Sequence, residues 1–504
     1  MPNATLCPPP NIEALRAFIS RTWPSSGALA ALDRLAPDAA VTQDSRHVTP
    51  GTLFIAAAGA AGDGRDYIAH ALSQGAQAVL AEAPCTLEDE HVLVLEDLDA
   101  HLPGLIAALY PAAQQGNHIA VTGTNGKSSA THYIVALLKA LGERAALVGT
   151  LGMGEPEQLI ASGFTTPHRL TIAQQAALWH QQGIHHIVLE ASSHALAQGR
   201  LDSIPLHAAA FTNLTRDHLD YHGSMLAYAA AKARLFQRPE LSLAVVNVRD
   251  TYAPLMLAGC RCRTLCFNAH GSDTDFGVIE WMPSRTGQRA RLRTPDGERT
   301  LSLSLLGRFN LDNVLLAIAV LFGQGYALDS LLDAASSLRP VRGRMQMMAA
   351  PGQPVVVIDY AHTPDALDNA LTALHQHAPG NVWAVVGCGG DRDSGKRPLM
   401  AAIAERQADH VVLADDNPRS EDPDHIRQQM MTGLKHPERA LNIGDRRQAI
   451  ASVIDRAAAD DVILIAGKGH EEYQEIHGVK HPFDDARTAC EALAARASAA
   501  STGN

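Results

Sequence analysis

The segment His118-Ile119-Ala120-Val121-Thr122-Gly123-Thr124-Asn125-Gly126-Lys127-Ser128-Ser129 carries the most legible chemistry in the chain. An apolar run ends at Gly123, and Gly126-Lys127-Ser128 opens a stretch with helical pattern. Glycines let the backbone curl so that successive N–H groups face one anion, and the helix that follows adds its positive end. Lys127 can reach terminal phosphates, and the Ser128 hydroxyl suits Mg2+. Only Thr124 and Asn125 separate the two glycines, so the loop is two residues shorter than the common phosphate loop. Gly123, Thr124, Asn125, Gly126, Lys127, Ser128 and Ser129 are therefore expected to bind a nucleoside triphosphate. The plain alternative is a Gly-rich strand-to-helix turn carrying a surface lysine.

Further polar clusters follow other apolar runs. Glu190 ends Ile187-Val188-Leu189 and precedes Ala191-Ser192-Ser193-His194. A carboxylate at a strand end beside a phosphate loop suits Mg2+, which takes one or two protein carboxylates plus phosphate oxygens and water. Ser192 and Ser193 are also good helix caps, and both roles can hold together. Between Phe211 and His222, three potential ligands (Asp217, His218 and His222) lie within six residues, which predicts a site. Lys232, in Tyr228-Ala229-Ala230-Ala231-Lys232-Ala233-Arg234-Leu235, reads by pattern as an exposed helix lysine. Thr165-Thr166-Pro167 and Gln198-Gly199-Arg200 offer loop donors for an anionic substrate. Asp391-Arg392-Asp393, Asp416-Asn417-Pro418-Arg419 and Gly467-Lys468-Gly469-His470-Glu471 each follow an apolar run. Their mixed charges suit a zwitterion such as an amino acid better than a nucleotide.

These residues need a scaffold, and 504 residues predict about three domains. The fold class is α/β throughout. Residues 1–112 read as a small α/β domain, with a Pro-rich lead, apolar runs at Leu53–Ala56 and Gln77–Ala81, and a flexible small-residue loop from Gly59 to Gly64. Residues 113–339 read as a phosphate-loop domain with a mainly parallel sheet built from Ile119–Val121, Ile187–Leu189 and Ala244–Val248. The alternation from Arg289 to Leu305 predicts added antiparallel strands, and Pro340 to Arg344 a linker. Residues 340–504 read as a Rossmann-like doubly wound domain with strands at Val355–Ile358, Val382–Val386, Val411–Leu413 and Val462–Ile465. Ligands of such sheets bind beyond the carboxyl ends of the strands, where the polar clusters stand. The tail Ser498–Asn504 is expected to be disordered.

Composition narrows the function classes. A net charge of -12 argues against sequence-independent nucleic-acid binding, which needs a basic footprint. The first residues lack the basic and apolar regions of a signal peptide, and no apolar run nears the roughly 20 residues that span a bilayer. A cytoplasmic protein without membrane insertion is expected. Cys260, Cys262 and Cys266 cluster, but no fourth ligand stands at zinc-finger spacing, so reduced structural thiols are the better reading.

From about residue 40 to 490 the chain resembles the Mur ligases of bacterial cell-wall synthesis. The resemblance is carried by the short Gly-Thr-Asn-Gly-Lys-Ser loop, by Glu190-Ala191-Ser192-Ser193-His194 and by Asn213–Tyr221. It implies an ATP-dependent amide-forming ligase. Asp416-Asn417-Pro418-Arg419 resembles the motif of the member that adds meso-diaminopimelate to a UDP-N-acetylmuramoyl dipeptide. On the same grounds Lys127 and Ser128 would hold phosphate and Mg2+, and Glu190 and His218 match the family's metal ligands. Lys232 matches the lysine that CO2 converts to a carbamate (N6-carboxylysine) beside a second Mg2+. The nucleotide-sugar contacts would be Ser45, Thr165, Thr166, Ser192, Gln198 and Arg200. Asn310, Asn313, Arg344 and Asp359 would meet adenine and ribose. Arg392, Asp416, Asn417, Pro418, Arg419, Gly467 and Glu471 would hold diaminopimelate, with Arg419 on the distal carboxylate that lysine lacks. Ala60-Ala61-Gly62 departs from the polar residues common in that loop, which shifts uridine contacts there to backbone groups. A monomer that closes its domains around small-molecule substrates is expected. The alternatives are lysine addition, a folylpolyglutamate-type ligase, or a phosphate-loop switch or transport ATPase.

Overall fold

Uninterrupted apolar runs in this chain become strands covered on both faces, as parallel sheets require. The computed structural model describes residues 8–24, 30–59 and 62–502. Cys7, the opening residues and Ala60-Ala61 lie outside the described residues, and with them the expectations placed there. The chain divides into two units, Met1–Leu265 and Cys266–Asn504.

The first unit opens with β1 (Val41–Thr42) and β2 (Leu53–Ala56), then the pair β3 (Ala58–Gly59) and β4 (Gly62–Asp63), then β5 (Ala78–Glu82) and β6 (Val92–Leu95). β1, β2, β5 and β6 form a parallel sheet in that order. The segment expected to be a flexible loop, Gly59 to Gly64, has an antiparallel pair at its ends, Ala58 opposite Asp63 and Gly59 opposite Gly62. The larger sheet comprises β7 (Asn117–Thr122), β8 (Ala145–Gly149), β9 (Gly152–Gly154), β10 (His186–Glu190), β11 (Ala208–Phe211) and β12 (Leu243–Asn247). Their order is β12-β11-β7-β10-β8-β9, parallel except at β9. Leu53 and Ile55 of β2 share one apolar cluster with Ala120 of β7 and Leu189 of β10. Residue 112 therefore falls inside one continuous core.

β13 (Arg263–Asn268) spans the boundary between the units. The second unit continues with β14 (Phe276–Ser284), β15 (Gly287–Thr294) and β16 (Gly297–Leu303), an antiparallel meander. The helix Arg308–Gly323 is buried along most of its length. Next come β17 (Gln346–Met348), β18 (Val355–Asp359), β19 (Val382–Val386), β20 (His410–Leu413), β21 (Leu441–Asn442) and β22 (Val462–Ala466), in sheet order β17-β18-β22-β19-β20-β21. Only β17 runs antiparallel to its neighbour. Val355 and Val357 enter one core and Val356 and Ile358 the other, the period-two signature of a sheet wound on both sides.

A hairpin, β23 (Tyr473–Ile476) and β24 (Val479–Pro482), leads to the helix Asp485–Thr502. Ser498 to Thr502, expected to be disordered, continue that helix. Alanine favours helix there, and the Ser498 hydroxyl donates back to Ala494 O at 3.0 Å. The fully buried pair Arg446–Asp485 ties this helix to the sheet, since the Arg446 guanidinium also donates to Ala466 O at the end of β22. No helix among the described residues is long and apolar enough to cross a membrane.

Candidate active site

β7 and β11 are neighbours whose outgoing connections leave in opposite directions, toward β8 and β12. Such a switch point opens a crevice at the strand ends. The loop Gly123–Gly126 lies there and leads into the helix Lys127–Ala140. Gly123 has φ 148°, and a Cβ at that position would overlap the Thr212 hydroxyl. That hydroxyl donates to Asn125 O at 2.6 Å, Thr124 N donates to Asn213 O at 2.8 Å, and Asn125 N donates to Asn213 Oδ1 at 3.1 Å. The segment after β11 thus fixes the shape of the phosphate loop.

Two lysines converge on one carbonyl. Lys127 Nζ donates to Gly123 O at 3.0 Å and to Thr124 O at 2.8 Å, and Lys232 Nζ donates to Gly123 O at 2.8 Å. Lys232 is 1% exposed, which corrects the expectation of a surface residue. The helix Met225–Ala233 buries Tyr228, Ala229, Ala231, Lys232 and Ala233, so its alanines give no polar face by which to orient it. Burial, reinforced by Lys127, pushes the Lys232 ammonium well below the usual lysine range. Its Nζ lies 4.6 Å from the centre of the Tyr228 ring, whose hydroxyl is 3.1 Å from Thr124 Oγ1.

Glu190, at the end of β10, is buried and accepts from Thr150 N at 2.9 Å and the Thr150 hydroxyl at 3.3 Å. Its carboxylate rests on Gly149, where any side chain would collide with it. A hydrogen-bond network continues outward. The Thr166 hydroxyl donates to Glu190 O at 2.7 Å and meets Ser192 Oγ at 3.1 Å, and Thr165 Oγ1 lies 3.1 Å from Thr150 Oγ1. Arg200 donates to Thr166 O at 2.7 Å and to Gln198 Oε1 at 2.7 and 2.9 Å. Ser192 also caps the helix Ser193–Ala197, so the expected double use of this segment is sterically consistent. Ser45 is buried in the short turn Ser45–His47.

Among the described residues, no group of three or more His, Cys, Asp or Glu side chains could hold a metal ion. Asp217, His218 and His222, singled out by their spacing, form no such group. His218, with φ 52°, lies 3.3 Å from Asp217, and its ring packs edge-on against His194 at 4.9 Å. His222 packs against Tyr228 at 5.2 Å, with Nε2 buried and unpartnered. The imidazoles of His194, His218 and His222 pack against one another and Tyr228 in edge-on and tilted pairs.

In the second unit the three polar clusters stand at the ends of the adjacent strands β22, β19 and β20. Asn417 Nδ2 donates to Glu471 Oε2 at 2.7 Å, and Lys468 Nζ donates to Asn417 Oδ1 at 3.0 Å and to Glu471 Oε2 at 3.1 Å. Asp416 Oδ1 accepts from Asn417 N. Arg419, with φ 51°, donates to Gly390 O at 2.7 Å and lies 3.6 Å from the Glu475 carboxylate. Arg392 is exposed. Arg397 and Glu421 pair beneath this loop, and the guanidinium holds the carboxyl down at about 2. Elsewhere in this unit, Asp359 Oδ2 accepts from Met345 N at 2.7 Å, and burial pushes its carboxyl up. Arg344 lies over the Tyr360 ring at 4.6 Å. Asn310 and Asn313 are buried in the first two turns of the helix Arg308–Gly323.

Sequence profiles of three domains match the chain: Mur ligase family, catalytic domain, at residues 39–115; Mur ligase middle domain at 121–321; and Mur ligase, glutamate ligase domain, at 343–469. Together they cover most of its length. The chain belongs to the Mur ligase family. It is 44% identical over 469 residues to the UDP-N-acetylmuramoyl-L-alanyl-D-glutamate--2,6-diaminopimelate ligase of Pseudomonas putida, covering 90% of this chain and 95% of the relative. The protein of the same name from Pseudomonas aeruginosa is 45% identical over 462 residues, with the same coverage. A solved structure of a ligase of that name superposes with a TM-score of 0.71 at 38% identity, covering 91% of this chain and 95% of the other. A folylpolyglutamate synthase from Mycobacterium tuberculosis shares the fold alone, with a TM-score of 0.58 at 20% identity, covering 73% of this chain and 91% of the other.

The sequence reading gave no bracing role to several residues that shape the site of this Mur ligase chain. Thr150 holds Glu190, Thr212 and Asn213 hold the phosphate loop, and Tyr228 links Lys232 to Thr124. Each acts across loops remote in sequence, so spacing gives no sign of it. Lys468 stood within a quoted cluster, but its complete burial has no sequence signature.

Proposed function

We propose that this chain is an ATP-dependent ligase that joins meso-diaminopimelate to the D-glutamate of UDP-N-acetylmuramoyl-L-alanyl-D-glutamate. The D-glutamate carboxylate attacks the γ-phosphorus of ATP, giving an acyl phosphate and ADP. The amine of diaminopimelate then attacks the acyl carbon, forming the amide while phosphate leaves and the amine loses a proton. Catalysis of this kind rests on alignment and charge neutralisation. The observation that carries the reading is the pairing of a short phosphate loop braced by β11 with a strand-end cluster of opposed charges. The relatives named for the same reaction support it.

Lys127 and the loop N–H groups take the β- and γ-phosphates. Thr165, Thr166, Ser192, Gln198 and Arg200 take the nucleotide-sugar substrate, with Ser45 on its uridine side. Asn310, Asn313, Arg344 and Asp359 take the base and ribose. Arg392, Asp416, Asn417, Pro418, Arg419, Gly467 and Glu471 form the diaminopimelate subsite. A guanidinium offers the distal carboxylate a two-pronged contact that lysine cannot use.

The residues also fit Mg2+. A buried carboxylate seated on Gly149, with Thr150 as its one donor among the described residues, is a hard oxygen site beside the phosphate loop. Ser128, Glu190, His218 and carbamylated Lys232 would hold the ion, which neutralises phosphate charge when bound. Lys232 fits carbamylation because it is buried, has no acidic partner within bonding distance and sits beside Lys127. A neutral amine can add to CO2, and the carbamate anion would relieve the repulsion between the two lysines.

An isotope experiment tests the chemistry. With 18O in the D-glutamate carboxylate, the released phosphate is expected to carry one 18O atom for each amide formed. Unlabelled phosphate would rule out carboxylate attack on ATP.

A further inference from the structure

Lys468 stands two residues beyond the end of β22 and is completely buried between two buried glycines, Gly467 and Gly469. Its Nζ donates to Asn417 Oδ1 at 3.0 Å and Glu471 Oε2 at 3.1 Å, and it lies 5.6 Å from the centre of the Tyr473 ring. Asn417 is thereby committed at both ends. Its oxygen takes Lys468 Nζ and Glu475 N at 3.0 Å, and its amide nitrogen gives to Glu471 Oε2 at 2.7 Å. Since the oxygen faces two donors and the nitrogen faces a carboxylate, only one orientation of the amide is satisfied.

The consequence reaches both charged groups of the subsite. Glu471 Oε2 is occupied twice from within the protein, and the rest of its carboxylate is left for a ligand. Glu475, the residue whose N–H meets Asn417, gives its carbonyl to Arg419 N at 2.9 Å and its carboxylate to the Arg419 guanidinium at 3.6 Å. A continuous chain therefore runs from the acid Glu471 through Lys468 and Asn417 to Glu475 and Arg419. An acid and a guanidinium held at a fixed separation suit a molecule that carries an ammonium and a distant carboxylate.

We infer that Lys468 is a positioning residue that sets the spacing between Glu471, as ammonium acceptor, and Arg419, as carboxylate donor, and so contributes to amino-acid selectivity. The inference rests on the diaminopimelate reading above. Loss of Lys468 leaves Asn417 Oδ1 with one donor instead of two and lets Glu471 swing away from its place. The two receptors then lose their common frame.

Steady-state kinetics of the full chain test this with Lys468→Met. The KM for meso-diaminopimelate is expected to rise about tenfold or more, as loss of a charged hydrogen-bond partner predicts. The kcat at saturation, and the KM values for ATP and the UDP-muramoyl dipeptide, are expected to stay within about twofold, since the lost interaction is one of ground-state binding. The preference for diaminopimelate over lysine falls with it. An unchanged KM for diaminopimelate, or an equal rise in all three KM values, would overturn the inference. Because a buried substitution can impair folding, Lys468→Gln, which keeps a donor without the charge, serves as a second variant with the same expected split. In an Asn417→Ala background, Lys468→Met is expected to add less than about twofold, because both act through one network. Full additivity would contradict it. Wild-type protein that fails to use diaminopimelate would remove the underlying reading as well, whereas wild-type turnover with unaffected variants removes only the role of Lys468.

Discussion

Lys232 owes its chemistry to what surrounds it. A lysine among alanines on a helix reads as a surface charge, yet it is buried with its Nζ on Gly123 O and Lys127 close by. Removal of one preorganised charged group at a phosphoryl-transfer site costs about a hundredfold or more in rate. Lys232→Ala is accordingly expected to lose at least that much turnover and to recover part of it with added short-chain carboxylates. Full activity in the unsupplemented variant would reject the carbamate role. At this scale the sequence exposed what backbone spacing encodes: the loop glycines, Lys127, Ser128 and the strand-end acid Glu190. It concealed partners that meet only after folding, such as Thr150, Tyr228 and the buried Lys468.

At the scale of elements, strands with uninterrupted Val, Ile and Leu were legible in advance, and β7, β10, β18, β19 and β22 lie within a residue or two of their expected spans. β8 is alanine-rich, and β14 carries Pro283 at its exposed end, so neither stood out. The helical tail was misread because small and polar residues look irregular until a preceding helical turn organises them. β7 also carries a pH sensitivity. His118 is fully buried, with Nδ1 on Pro205 O at 2.8 Å and Nε2 unpartnered, and burial holds its imidazole down at about 4. An unfolded histidine titrates near 6.5, so protons bind the unfolded chain more readily between those values. Stability from this group is complete above pH 6.5 and is lost as pH falls through 4. The loss between pH 7.5 and pH 5 is on the order of 2 kcal/mol. Urea unfolding at the two values measures it, and His118→Val is expected to flatten the dependence. An equally steep dependence in the variant would contradict the assignment.

At the scale of the whole molecule, length suggested three blocks and the family profiles match three stretches, while packing yields two units. The reason is core continuity. Apolar residues of β2 and β7 share one cluster, which a reading of sequence blocks cannot foresee. Each unit carries one part of the proposed reaction: the phosphate loop and Glu190 in the first, the charged strand-end cluster in the second. The central claim is that the second of these reads a diamino dicarboxylic acid. Phosphate release with ATP, Mg2+ and the UDP-muramoyl dipeptide, comparing meso-diaminopimelate with L-lysine, tests it most directly. A two-pronged guanidinium–carboxylate contact of the Arg419 type predicts that diaminopimelate supports turnover about a hundredfold or more better in kcat/KM. Equal or faster release with lysine would contradict the account.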